Sequence, residues 1–105
     1  MQIQVRTDSH IDGNEALTQE TSDLLRDKLR RFDTRITRVE VHFTDESSAA
    51  KSVGDDKGCQ IEVRLAGMQP MSVSERGATT SQALSGAIRK LQSLLNSALG
   101  KQDNR

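Results

Sequence analysis

The apolar residues of this chain change period along its length, and that change limits the folds open to it more than any other feature. From residue 2 to 6, Ile3 and Val5 alternate with Gln2, Gln4 and Arg6. The same alternation returns over 37–43, where Val39, Val41 and Phe43 share one side, and over 59–66, where Cys59, Ile61, Val63 and Leu65 do. Side chains of a strand point to opposite faces in turn, so each run reads as a half-buried strand. Ile36 falls out of phase and is expected at the entry to the second strand. Met71 and Val73 predict a fourth, shorter strand ending at Gly77, and Pro70 ahead of it suits a sheet edge.

Between these runs the period becomes helical. Leu17, Thr21, Leu24, Leu25, Lys28, Leu29 and Phe32 lie on one stripe, predicting a helix over 15–32 with Asn14 as N-cap and Glu15 in the first turn. Leu84, Ala87, Ile88, Leu91, Leu95, Ala98 and Leu99, widened by Leu94, form the stripe of a second helix. Thr79, Thr80 or Ser81 can cap it. Gly100 fits its stop, with 101–105 fraying. The polar stretch 44–58 predicts a long, mobile hairpin loop.

The order is β-α-β-β-β-α, an α+β fold with a four-stranded sheet and two helices packed on one face. A helical crossover makes the first two strands parallel neighbours, and the later ones pair as hairpins. At 105 residues this is one domain's worth of chain, 1–105, with a single modest core. Only Phe32 and Phe43 are aromatic, so that core must be aliphatic.

Composition excludes several functions. One cysteine, Cys59, allows neither an internal disulfide nor a multi-cysteine zinc site. The start shows no signal-peptide pattern, and no stretch nears the roughly 20 apolar residues of a bilayer span, so a cytoplasmic protein without membrane contact is expected. His10 and His42 have no partner at metal-ligand spacing. His42 and Cys59 lie on adjacent strands but on opposite expected faces, which disfavours a nucleophile pair. Asp45, Glu46, Asp55 and Asp56 lack the regular spacing of a calcium loop. With no Gly-rich phosphate cradle and no convergent titratable set, the chain is expected to be neither an enzyme nor a cofactor binder.

Charge is balanced overall, 15 basic against 15 acidic residues, but it is not evenly spread. Arg26, Lys28, Arg30, Arg31, Arg35 and Arg38 face only Asp27 and Asp33 within 26–38. Arg89, Lys90, Lys101 and Arg105 face only Asp103 within 89–105. Two readings compete. One is a solvated helix face, held by Asp23–Arg26 and Asp27–Arg31 pairs. The other is a surface that tracks nucleic-acid phosphates, with affinity that falls with salt. The solvated sheet face carries no aromatic residue, so bases have no stacking platform there.

Lys28, Leu29, Phe32, Arg35, Ile36, Val39 and Val41 stand at the spacing of a known helix-to-strand junction. Together with Ile11, Glu15, Ala16, Leu17, Ala83, Leu84, Ile88, Lys90 and Leu91, the chain resembles the ribosome hibernation-promoting factor and ribosome-associated inhibitor family over nearly its whole length. It looks like the short form, without a C-terminal dimerisation domain. The resemblance implies a translation regulator, used in stress or stationary phase, that occupies the small ribosomal subunit and contacts its rRNA phosphates. Lys28, Arg31 and Lys90 match family basic positions. Arg30, Arg35 and Arg89 complete the expected RNA-binding set, on a monomer that does not bind DNA. Ser81, Ser93 and Ser97 depart from the family, Ser81 standing for a Tyr and the other two for basic residues. They motivate the alternative of a protein-interaction module that keeps the fold without the ribosome. The order is also similar to that of double-stranded RNA-binding domains, but those place lysines at the start of the final helix, where 79–82 has none.

Overall fold

The computed structural model describes residues 1–8, 15–45 and 57–103, with the side chains of 101–103 set aside. Its elements are β1 (Gln2–Thr7), α1 (Glu15–Lys28), a 3-10 turn (Arg30–Phe32), β2 (Ile36–Asp45), β3 (Lys57–Leu65), β4 (Met71–Gly77) and α2 (Thr80–Asp103). The order β-α-β-β-β-α is the expected one. The sheet runs β1-β2-β3-β4, with β1 parallel to β2 and the two later pairs antiparallel.

One face of this sheet is the core. Val39, Val41 and Phe43 meet Val63, Ile61 and Cys59 in register, and all six are buried. Ile3, Val5, Met71 and Val73 continue the layer outward at half burial. α1 covers the β1 side with Leu25, Leu29 follows just after its end, and α2 covers β3 and β4 with Ala83, Leu84, Ala87, Ile88, Leu91, Leu95 and Leu99. The opposite face is a polar mosaic. Arg38 donates to Gln2 Oε1 at 3.3 Å, to the Gln4 amide oxygen, and lies 3.4 Å from Glu40.

Three local expectations are corrected, and a fourth gains its physical reason. The first helix does not reach Phe32: it ends at Lys28, and a 3-10 turn follows. In 3-10 geometry residues i and i+3 lie over one another, so Leu29 and Phe32 both stay in the core as the chain turns toward β2. Ile36 enters β2 as its first residue, as expected, and the structure supplies the reason for its phase. The pairing steps from Ile36↔Leu65 to Arg38↔Arg64, which leaves Thr37 as an extra residue whose hydroxyl donates to the Arg64 carbonyl at 3.0 Å. This bulge shifts the phase by one, so Ile36 and Val39 are both buried. The hairpin loop is shorter than 44–58. Thr44 and Asp45 pair with Gly58 and Lys57, and Lys57 Nζ lies 2.9 Å from Asp45 Oδ2. Gly58 is therefore a strand residue. Finally, Gly100 does not stop α2, which continues to Asp103.

Asn14, His10, Ile11 and residues 46–56 lie outside the described residues. Thr79 emerges as the cap of α2: its Oγ1 accepts from the Gln82 amide at 3.1 Å, while the Gln82 side chain accepts from the Ala78 amide at 3.1 Å. β3 and β4 are joined by a turn closed from Met68 N to Leu65 O at 3.2 Å. Gly67 takes φ +74 there, a conformation that favours glycine. No described helix is long and apolar enough to cross a membrane.

Candidate nucleic-acid interface

The end of α1 and the middle of α2 approach each other, and the sequence explains how. α1 terminates one residue before Leu29, so its last carbonyls lack helical partners. Gln92 of α2 supplies one, donating from Nε2 to the Lys28 carbonyl at 3.1 Å. Arg89, Gln92, Ser93 and Asn96 are spaced three, four and seven apart, so they share one stripe of α2. With Arg31 and Phe32 from the 3-10 turn they line a groove of about 390 Å³. The Arg31 guanidinium sits over the Phe32 ring, 5.1 Å from its centroid.

The six cations expected from the sequence differ in their surroundings. Arg31 and Arg89 are brought together at this groove, and neither makes an ion pair among the described residues. Lys28 is exposed beside it, its backbone bonded to Gln92. Arg30 is paired with Asp27 at 2.7 Å. This replaces the expected Asp27–Arg31 pair, because the i,i+4 geometry is lost where α1 gives way to the 3-10 turn. The expected Asp23–Arg26 pair is also absent among the described residues: Asp23 accepts from Gln19 at 2.9 Å, and Arg26 donates to the Met1 carbonyl at 3.4 Å. Arg35 is half-buried and has partners of its own.

Lys90 has other contacts. One residue is about 100° around a helix, and α2 turns Lys90 toward β4. There it donates to the Ser74 carbonyl at 3.1 Å and lies 3.5 Å from Glu75. The Glu75 carboxyl is held below the usual glutamate range, first by the Arg76 amide that it accepts and then by the charge of Lys90. The groove residues that were not singled out, Gln92 and Asn96, carry the helical spacing that marks them. Only the position of α1 shows which polar stripe of α2 it faces.

Elsewhere the chemistry is sparse. Cys59 is buried against the core, and burial pushes its thiol up to about 12. His42 is on the opposite face, its Nε2 3.0 Å from Asp8. Among the described residues no cluster of His, Cys, Asp or Glu could hold a metal ion.

A family model described as sigma 54 modulation protein / S30EA ribosomal protein matches residues 3–103. The chain belongs to this family. Comparison with curated proteins finds no match. Two solved structures share the fold of this sigma-54 modulation/S30EA member. A ribosomal subunit interface protein from Coxiella burnetii superposes with a TM-score of 0.72 at 18% identity, covering 95% of this chain and 99% of its own. The N-terminal domain of Protein Y from Thermus thermophilus does so with a TM-score of 0.71 at 19% identity, covering 92% and 98%.

Proposed function

We infer that this protein is a non-enzymatic, ribosome-associated regulator of translation. Family membership and the two structural neighbours support the ribosomal association. The finer reading is that it occupies the small subunit in stress or stationary phase, inhibits translation, and acts in the cytoplasm. One observation carries the mode of contact: two cations from different elements, Arg31 and Arg89, face one groove, and neither is within ion-pair distance of a carboxylate among the described residues. Phosphates demand charge and donors rather than a base code, and guanidinium groups supply both. Gln92, Ser93 and Asn96 add neutral donors beside them. Lys28 extends the surface, while Arg30, Arg35 and Lys90 are already engaged and rank below it.

The competing reading, a protein-interaction module, draws support from Arg30 and Lys90 being neutralised by Asp27 and Glu75. Sedimentation with purified small subunits over a salt series separates the two. Ribosomal contact through phosphates predicts co-sedimentation that weakens steeply with salt. An Arg31→Ala, Arg89→Ala double variant should lose it while its circular dichroism and thermal melt stay those of the parent. Unchanged co-sedimentation of that variant would remove the groove assignment. No co-sedimentation of the parent chain even at low salt would remove the ribosomal reading.

A further inference from the structure

β4 is the last strand of the sheet, so one of its sides has no strand neighbour among the described residues. Two backbone groups near its end are bonded to side chains instead. The Ser74 carbonyl accepts from Lys90 Nζ at 3.1 Å, and the Arg76 amide donates to Glu75 Oε1 at 3.0 Å. Residues two apart turn their backbone groups to the same side of a strand. Ser74 and Arg76 therefore both present theirs at the open edge. The two capping side chains are joined, Lys90 Nζ lying 3.5 Å from Glu75 Oε2.

The helix makes room for this arrangement. Glu75 has the parity of Met71 and Val73, so it points to the helix side of the sheet, where an apolar residue is the rule. It fits because α2 carries Gly86 opposite: a Cβ there would stand 2.6 Å from Glu75 Cγ. An inward-pointing charge on an edge strand is one of the devices by which sheets avoid pairing with other chains.

We propose that Lys90 and Glu75 form a clasp that guards the β4 edge, and that the partner this edge fits is β4 of a second copy of the chain. The sequence of β4 sets the register. An antiparallel pair centred on Ser74 places Ser72 opposite Arg76, Val73 opposite Glu75 and Met71 opposite Gly77. No like charges then stand face to face, and the central residues are small. In that register the Ser74 carbonyl accepts from the second copy's Ser74 amide, and the Arg76 amide donates to its Ser72 carbonyl. Those are the two groups that the clasp holds. The inference is independent of ribosome binding.

Light scattering and sedimentation velocity over a wide concentration range test it. The parent chain should stay monomeric. Lys90→Met, which removes the ammonium but keeps an unbranched side chain, should shift toward dimer as concentration rises, and so should Glu75→Gln. Lys90→Arg should remain monomeric. Adding Ser74→Pro to Lys90→Met should restore the monomer, because proline deletes the outward amide while sparing the β3 ladder. Circular dichroism melts identify which variants are folded. Folded Lys90→Met and Glu75→Gln chains that both stay monomeric overturn the guard. A dimer that persists with Ser74→Pro overturns the register, and a parent chain already dimeric through β4 overturns the clasp's role.

Discussion

At the scale of single residues, Thr21 and Gly77 are the positions where a side chain or its absence has a calculable consequence. Thr21 is fully buried in α1, and its Oγ1 meets no hydrogen-bond partner among the described residues. Thr21→Val keeps the shape and removes the unsatisfied hydroxyl, so unfolding stability should rise by about 1 kcal/mol. A urea titration with an unchanged slope would show it. Gly77 is buried where β4 meets the start of α2, and a Cβ there would stand 2.9 Å from both the Ala83 nitrogen and Gln82 Cβ. The first is backbone and cannot swing away, so Gly77→Ala should cost about 1–3 kcal/mol, read from the same titration. Cys59 offers a check on core access. A buried, neutral thiol is a poor nucleophile, so alkylation of the folded protein should be slow and should become fast in denaturant.

At the scale of elements, the ends of the two helices decide what the surface presents. Thr79 holds the first turn of α2, and Thr79→Ala should lower stability by about 1 kcal/mol through loss of the cap. The union of α2 with β4 depends on pH through Glu75. The groups that face its carboxylate are the Arg76 amide, Lys90 and Arg89. Its folded pKa lies below the ordinary one, so the ionised form is favoured by folding. The stabilisation is complete above the ordinary glutamate range and disappears as pH falls through the lowered folded value. The thermal midpoint of the parent should therefore fall more in that acidic window than the midpoint of Glu75→Gln. The 3-10 turn matters for a different reason. By ending α1 at Lys28 it separates Arg31 from Asp27, which takes Arg30 instead, and sets Arg31 against Phe32 at the groove.

At the scale of the whole molecule, a chain of zero net charge presents a local cationic groove because its ion pairs are unevenly placed. If Arg31 and Arg89 each neutralise a phosphate, each single alanine variant should flatten the logarithmic salt dependence of ribosome binding by about one unit. The architecture behind this was legible early. The period switches of Ile3 to Val5, Leu17 to Phe32, Val39 to Phe43 and Leu84 to Leu99 report which residues must leave water, and burial of one face per element leaves few ways to assemble them. Even the bulge had a trace, since Ile36 and Val39 cannot both be apolar and inward on a regular strand. The candidate site was legible only as a stock of cations. Composition and spacing are local properties, and they do determine the elements and the core of this protein. Which cation stays free depends on the rotation of α2 against β4 and on where α1 stops. Both follow from packing between residues far apart in sequence. That is why Lys90 and Arg89, adjacent in the chain, are on separate duties: one against Glu75 and the sheet edge, the other beside Arg31 at the groove.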